Sequence, residues 1–95
     1  MAQAEIIWSD IALADLEGIR AYIAQFNPRA ANRIALEVIA AAESLAQFPQ
    51  RGRAVGPGRR ELVTVWPYVI QYRTTEGRVE IVRVQHGRRR RSANF

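Results

Sequence analysis

The sequence contains no cysteine and no lysine, and His86 is its single histidine. The lack of cysteine excludes disulfide bonds, thiolate zinc sites and a cysteine nucleophile. One histidine without a cluster of carboxylates cannot build the usual multi-imidazole metal site, so we expect no metal and no other cofactor. All fourteen basic residues are arginines. Arginine stabilises phosphate charge well, but it is a poor general base because its pKa lies above about 12.

Long apolar runs are absent as well. No stretch approaches the roughly 18 residues of a membrane span, and residues 1–5 lack the basic start and apolar stretch of a secretory signal. We therefore expect a cytoplasmic protein with no membrane partner. At 95 residues the chain is long enough for one compact domain and too short for two. This predicts a single domain over residues 1–95.

Charge is unevenly distributed along the chain. Residues 1–47 hold three arginines against six acidic residues, a net charge of −3, whereas residues 48–95 hold eleven arginines against three acidic residues, a net charge of +8. A basic face of this kind favours an acidic protein or a nucleic acid as partner. The charge does not choose between them.

The first half of the sequence predicts one strand and two helices. Residues 5–8 are apolar, β-branched and aromatic, as in a strand, and Ser9 follows as the N-cap of a helix over residues 11–26. Asn27-Pro28 is a cap and first-turn proline that starts a second helix, which ends before Pro49. Three- and four-residue spacing predicts these inward positions: Ala12, Leu16, Ile19, Ile23 and Phe26, then Ile34, Val38, Ala41 and Leu45.

The second half predicts a loop and three strands. Glycine, proline and arginine over residues 50–59 indicate a flexible connection, and strands are predicted over 60–66, 68–74 and 78–85. The resulting fold class is α+β with the order β-α-α-β-β-β, in which an antiparallel helix hairpin packs on a mostly antiparallel sheet. Residues 87–95 form a basic tail that is either flexible or a functional arm. The predicted common core consists of Leu16, Ile19, Ile34, Val38, Leu45, Ile70 and Ile81.

The sequence contains several short motifs, and none of them identifies a protein family by itself. Their order and spacing along the chain are informative together. They are Trp8, Ala12-x-x-Asp15-Leu16-x-x-Ile19-x-x-Tyr22-Ile23, Asn27-Pro28-x-x-Ala31, Leu45-x-x-x-Pro49-x-x-Gly52-Arg53, Arg60-Glu61-Leu62, Tyr68-x-Ile70-x-Tyr72 and Val79-x-Ile81-x-x-Val84-x-His86. This succession resembles the RelE/ParE superfamily of bacterial type II toxin-antitoxin toxins. The resemblance implies the β-α-α-β-β-β fold, a bacterial cytoplasmic location and a cognate antitoxin, ParD-like or similar, that wraps the toxin. It also implies one of two targets, because RelE-like members cut messenger RNA in the ribosomal A site and ParE-like members poison DNA gyrase.

The residues available for RNA cleavage favour the ParE branch. Cleavage through the 2′-hydroxyl needs a base, an acid and a cation, which RelE-like enzymes supply with lysines, arginines and a C-terminal tyrosine. Here lysine is missing and Phe95, which cannot transfer a proton, replaces the tyrosine. We therefore expect a gyrase inhibitor without chemistry of its own. One alternative is a ribosome-dependent endonuclease using His86, Arg60 and Arg89, the last of which falls where RelE-like toxins have a catalytic arginine. A second is a small basic nucleic-acid-binding module.

Contact residues follow from charge and amphipathicity. The target-binding prediction is the run Arg88, Arg89, Arg90 and Arg91. The predicted antitoxin contacts are Leu13, Ile23, Arg33, Arg73 and Arg83. Glu61 is expected to pair with a neighbouring arginine rather than act as a base. Most of five aromatic residues are expected to pack in the interior rather than to stack on bases: Trp8, Tyr22, Trp66, Tyr68 and Tyr72.

Overall fold

A computed structural model describes residues 3–87 of the chain. The elements are β1 (Glu5–Trp8), α1 (Asp10–Ala24), α2 (Pro28–Glu43), a 3-10 turn (Ser44–Ala46), β2 (Arg53–Gly56), β3 (Arg59–Val65), β4 (Tyr68–Thr75) and β5 (Arg78–His86). The five strands form one sheet in the order β1-β5-β4-β3-β2, in which β1 and β5 are parallel and the other neighbours are antiparallel. The predicted α+β fold is confirmed, with one additional strand. Within residues 3–87 no helix is long and apolar enough to cross a membrane.

Both helices begin where the capping residues predict. The Ser9 hydroxyl accepts a hydrogen bond from the Ala12 amide at 3.0 Å, and the Asn27 carbonyl oxygen of the side chain accepts one from the Ala30 amide at 3.1 Å. These bonds supply acceptors for backbone N–H groups in the first turn, which have no hydrogen-bond acceptor within the helix itself. Helix α1 ends at Ala24, so Phe26 falls in the connection and is 73% exposed. Its predicted inward position is wrong.

The core lies between the helix hairpin and one face of the sheet. Val38, Leu45, Ile70 and Ile81 are buried there as predicted, and the other three predicted core residues, Leu16, Ile19 and Ile34, pack against it half-buried. Alternation along the strands places every second side chain on this helix side. The opposite side of the sheet, which no helix within residues 3–87 covers, is called the outer sheet face below.

Strand β2 was not predicted, and the expected flexible connection is wrong for residues 53–56. All four residues of this strand are exposed and show no apolar alternation, so sequence periodicity could not identify it. The chain leading into it is held by Tyr72, whose buried hydroxyl donates to the Pro49 carbonyl at 2.9 Å and accepts from the Gly52 amide at 2.8 Å. Burial raises the pKa of Tyr72 above its ordinary value.

The start of α1 completes the edge of strand β5. Strand β1 pairs with β5 only as far as Ile81, and beyond it this edge has no strand partner among residues 3–87. There the Ser9 hydroxyl donates to the Val82 carbonyl at 2.9 Å, and the Asp15 carboxylate accepts from the Val84 amide at 3.0 Å. The N-cap Ser9 and Asp15 of α1 therefore take the place of a strand partner, which protects an edge that would otherwise offer free backbone groups.

Candidate functional site

The outer surface of the helix hairpin carries exposed apolar side chains. Leu13 on α1 is 49% exposed, and Leu36 and Ile39 on α2 are 65% and 37% exposed. Leu36 and Ile39 are three residues apart and so lie on the same side of α2. Leu13 lies eleven residues before the end of α1, and Ile39 lies eleven residues after the start of α2. Because the two helices are antiparallel, both residues lie at about the same distance along the helices from the connection that joins them. We call these three residues the hairpin patch. Grouped exposed apolar side chains are typical of a surface that a partner covers.

Two other predicted antitoxin contacts on the helices lie outside this patch. Ile23 is half-buried on the inward side of α1, where its side chain is only partly available. Arg33 is exposed on α2, and its Nε atom lies 4.0 Å from a carboxylate oxygen of Glu37. A surface pair at that distance is weak, so Arg33 retains its capacity to bind another carboxylate.

The two predicted contacts on the sheet already have carboxylate partners within the chain. Arg73 on β4 donates from Nε to Glu80 on β5 at 3.1 Å. Arg83 donates to both oxygens of Asp15, from Nε at 2.8 Å and from a terminal nitrogen at 3.1 Å. The hydrogen bond with Asp15 raises the pKa of Arg83, so this guanidinium stays charged and engaged. An antitoxin carboxylate would have to displace Asp15 in order to use Arg83 in the same way.

His86 lies at the end of β5 on the helix side of the sheet. Its ring meets that of Tyr68 edge to face, with 5.8 Å between the ring centroids. The two rings line a cleft of about 430 Å³ whose opposite wall is α1 at Asp15, Gly18 and Tyr22. His86 thus faces the first helix and not the arginines of the outer sheet face.

Arg60, the second residue predicted for RNA cleavage, lies near the other end of the sheet. It is opposite Tyr72 in the register, and its guanidinium donates to two backbone carbonyls of the segment before β2 at 2.7 and 3.3 Å. His86 is opposite Tyr68, four residues away along β4, which corresponds to about 13 Å. The structure does not bring His86 and Arg60 together. Arg89 lies outside the described residues, as does the predicted target-binding run 88–91.

Charged side chains on the outer sheet face are largely paired with one another. The pairs across strands are Arg53 with Glu61 at 3.1 Å, Arg78 with Glu5 at 3.5 Å, and Arg73 with Glu80. Glu61 is 5% exposed and paired with Arg53, as expected. Beside it, Gln71 is 1% exposed, and its Oε1 atom accepts no hydrogen bond from the described part of the chain. Over residues 3–87 this face presents no histidine or tyrosine.

Three of the five aromatic residues have the predicted structural role. Tyr72 is fully buried, and Trp8 and Tyr68 pack against the core. Tyr22 and Trp66 are instead 60% and 77% exposed. Strand β3 ends one residue earlier than predicted, at Val65, so Trp66 falls in the turn instead of in a strand.

Sequence reasoning missed Leu36 and Ile39 in the hairpin patch, although a signal was present. Both residues lie outside the inward positions of α2, so they are apolar where an ordinary surface helix is polar. Trp66 could not have been identified in this way, because its exposure depends on the residue at which β3 ends.

Two antiparallel helices on one face of a five-stranded sheet, with β1 parallel to β5, form the fold that this chain shares with solved ParDE and RelBE2 structures. The sequence model for the ParE toxin of the type II toxin-antitoxin system parDE matches residues 6–91. The chain belongs to this ParE toxin family.

Relatives carry names from both branches of the class. Toxin RelE2 of Caulobacter vibrioides is 52% identical over 86 residues, covering 90% of this chain and 98% of the relative, and toxin RelE1 of the same organism is 37% identical over 80% and 85% of the two chains. Among solved structures, the chromosomal ParDE system from P. aeruginosa matches with a TM-score of 0.77 at 22% identity, over 88% of this chain and 96% of that one. The toxin-antitoxin complex RelBE2 from Mycobacterium tuberculosis matches with a TM-score of 0.67 at 22% identity, over 90% and 93%. These names do not decide between gyrase and the ribosome as target.

Proposed function

We propose that this chain is a ParE-like toxin that inhibits DNA gyrase by binding it, without a chemical step of its own, and that a cognate antitoxin neutralises it. The observation that carries this proposal is the position of His86. It is the single histidine of the sequence, the residue type most often used for general acid-base catalysis, and it faces helix α1 at the end of β5.

Proton transfer requires the acid and the base to lie within hydrogen-bonding distance of the reacting atoms, about 2.6–3.2 Å. His86 and Arg60 are too far apart to act on the same phosphate, since about 13 Å of strand separates their positions. Each missing proton-transfer group lowers a rate by about 10²- to 10⁴-fold. A site that lacks lysine and the C-terminal tyrosine therefore supports binding better than it supports cleavage.

The antitoxin contact is assigned to the hairpin patch of Leu13, Leu36 and Ile39. Both solved relatives named above come from toxin-antitoxin systems. An antitoxin segment that folds on binding would cover these apolar side chains with its own and offer carboxylates to nearby arginines. Arg33 suits this role better than Arg83, because Asp15 already occupies the guanidinium of Arg83.

The endonuclease alternative is kept because a relative of 52% identity is named a RelE toxin. One experiment separates the two activities. Toxin that has been separated from its antitoxin and refolded is added to purified gyrase during supercoiling of plasmid DNA, and in parallel to ribosomes that carry a defined messenger RNA.

We expect the wild type to inhibit supercoiling and to leave the messenger RNA intact. The His86→Ala variant is expected to inhibit gyrase as strongly as the wild type does. Codon-specific cuts that the wild type makes and His86→Ala does not, together with unaffected gyrase, would establish the endonuclease instead.

A further inference from the structure

Strand β5 is longer than its neighbour at the edge of the sheet. It has nine residues, whereas β1 has four and pairs with β5 only as far as Ile81. The Ser9 amide closes this pairing with a hydrogen bond to the Ile81 carbonyl at 3.0 Å. Residues 82–86 therefore have an edge that no strand within residues 3–87 covers. An open edge of this kind can pair with a strand of another chain.

Two side chains occupy this edge, and a second contact holds each of them in place. The Ser9 hydroxyl donates to the Val82 carbonyl at 2.9 Å, and it also caps helix α1. The Asp15 carboxylate accepts from the Val84 amide at 3.0 Å and is bound by the guanidinium of Arg83 at 2.8 and 3.1 Å. Because backbone groups of alternate residues point to the same side of a strand, the Val82 carbonyl and the Val84 amide are groups with which another strand would pair.

The flank of α1 beside this edge is apolar and exposed. Ile11 lies four residues before Asp15, so it is on the same side of the helix, and it is 58% exposed. Tyr22 is 60% exposed and lines, with Gly18 and His86, the cleft of about 430 Å³ between α1 and β5. A second chain that paired with the edge would bury part of this apolar area, which favours association.

Asp15 opposes such pairing more strongly than a neutral side chain would. An approaching strand has to displace the carboxylate from the Val84 amide and then encloses it in the new interface with one donor fewer. Removing a carboxylate from water without compensating hydrogen bonds is costly. The register between β4 and β5 also skips Val82, and a bulge of this kind bends the strand. Charged side chains and bulges are the means by which natural sheets block pairing between edges.

We propose that Ser9 and Asp15, here called the edge-protecting pair, keep the free toxin from pairing its strand β5 with strand β5 of a second copy. A second copy is the expected partner, because two identical edges meet in antiparallel orientation about a two-fold axis and each satisfies the backbone groups of the other. The opposite edge of the sheet, β2, is protected differently, since this short strand carries Arg53 and a register irregularity between Ala54 and Gly56. The inference goes beyond the proposed function and is the same for either target.

The test opens the edge in two ways. Asp15→Ala frees the Val84 amide, and Ser9→Gly frees the Val82 carbonyl at little cost to the helix, because glycine is tolerated as an N-cap. Sedimentation velocity over a range of concentrations gives the self-association of each refolded variant, and thermal unfolding shows that the variant is folded. We expect the wild type to stay monomeric and both variants to dimerise. Asp15→Ala should self-associate about 10- to 100-fold more tightly than the wild type.

Two comparisons separate pairing at the edge from general instability. Gly52→Ala lies near β2 and forces a Cβ atom to 2.5 Å from the Glu61 carbonyl oxygen, so it should destabilise the domain and leave it monomeric. In the Asp15→Ala background, Gly18→Lys adds a charge beside the edge, where a Cβ atom would meet nothing within 4 Å, and it should restore the monomer. Gly18→Ala in the same background also removes the helical glycine but adds no charge, so it should remain a dimer.

A single thiol locates the contact. The chain contains no cysteine, so Gln85→Cys introduces one thiol per chain, in the stretch of β5 that the edge-protecting pair covers. If β5 pairs with β5, this position lies close to its copy in the second chain. A short bifunctional thiol reagent should therefore link the chains when Gln85→Cys is combined with Asp15→Ala or with Ser9→Gly, and it should not link them when Gln85→Cys is the only change.

Dimers that cross-link, and that Gly18→Lys but not Gly18→Ala returns to monomers, would establish the proposal. Monomeric Asp15→Ala and Ser9→Gly variants would overturn it, and so would equal self-association of Gly52→Ala or cross-linked dimers without any change to the edge-protecting pair. Dimers whose thiols do not cross-link would place the contact on another surface, which also overturns the assignment to β5. If Asp15→Ala does not fold, Ser9→Gly decides by the same measurements.

Discussion

Asp15 and Arg83, 68 positions apart in the chain, form a bidentate ion pair that joins the first helix to the last strand. The two hydrogen bonds measure 2.8 and 3.1 Å, and the same carboxylate also accepts from the Val84 amide at 3.0 Å. Asp15 is thus the point at which α1 replaces the missing strand partner of β5. Because α1 begins to support this edge at Ser9, the whole N-terminal half of the helix depends on the position of β5.

The first prediction concerns this ion pair. Asp15→Asn removes the negative charge and replaces one of the two acceptor oxygens by an NH₂ group, while the size of the side chain is kept. This change should lower the free energy of unfolding by about 1.5–3 kcal/mol. The matched control is Glu17→Gln on the same helix, whose pair with Arg20 is exposed and should contribute little. Urea unfolding monitored by circular dichroism measures both. Equal stability of the two variants would mean that Asp15 does not hold α1 against β5.

A second prediction compares two glycines. A Cβ atom on Gly52 would lie 2.5 Å from the Glu61 carbonyl oxygen and 2.7 Å from the Tyr72 hydroxyl, whereas one on Gly18 would meet nothing within 4 Å. Gly52→Ala should therefore destabilise the domain by about 1–3 kcal/mol through the forced backbone shift. Gly18→Ala should stabilise it by about 0.5–1 kcal/mol, because alanine is favoured inside a helix. Thermal unfolding of the two variants should move in opposite directions, and a stable Gly52→Ala would contradict the close packing at this position.

The helical half of the fold could be predicted closely from the sequence because its information is local. Ser9, Asn27 and Pro28 mark the helix starts by side-chain chemistry, and the inward position of Val38 follows from three- and four-residue spacing. The position of β2 could not be predicted, since it depends on pairing with β3 and on the hydroxyl of Tyr72, 20 positions beyond Gly52.

The candidate site was less predictable than the fold, for the same reason. Asp15 occupies Arg83 through a contact between distant parts of the chain. The distance between His86 and Arg60 likewise depends on how the strands pair, which local sequence does not determine. Leu13 could be identified because it lies outside the inward positions of an amphipathic helix. The exposure of Trp66 depends on the end of one strand, a boundary that periodicity locates only to within a few residues.

A third prediction uses the buried hydroxyl of Tyr72. Burial raises the pKa of Tyr72 above 10.0 in the folded state, so the unfolded chain loses this proton at lower pH than the folded chain does. The neutral phenol therefore contributes stability below about pH 10 that is lost as the pH rises through the folded pKa. Tyr72→Phe should flatten this alkaline limb, and it should cost about 1–3 kcal/mol at neutral pH by leaving two backbone groups unpaired.

Urea unfolding between pH 7 and pH 11 measures this effect. Tyr22→Phe is the control at neutral pH, because that side chain is 60% exposed and its loss should not change stability there. A Tyr72→Phe variant that loses stability above pH 10 as steeply as the wild type would show that another group causes the alkaline limb.

The fourth prediction tests the hairpin patch. Leu13→Ala should weaken antitoxin binding about tenfold, since it removes apolar area from the assigned contact without touching the core. Val63→Ala on β3 is the matched control, because Leu13 and Val63 are 49% and 48% exposed and only Leu13 is on the hairpin. Titration calorimetry gives the affinities, and hydrogen exchange should show protection of residues 9–47 in the complex. Equal affinities of the two variants, or no protection in that range, would place the antitoxin elsewhere.

The last prediction is that toxicity depends on the charge of the arginine run and not on RNA cleavage. Changing Arg88, Arg89, Arg90 and Arg91 together to alanine should abolish growth arrest on induction and leave antitoxin binding intact. Changing the same four residues to lysine should preserve much of the arrest, because a positive charge without the fixed geometry of arginine is enough for contact with an acidic surface. Binding of the wild type to its target should weaken with salt, since screening shortens the range of electrostatic interactions from about 10 Å at 0.1 M to about 3 Å at 1 M ionic strength. Arg29→Ala is the control for losing an exposed arginine from a helix. Growth arrest by the alanine variant equal to that of the wild type would show that the toxin binds its target through another surface.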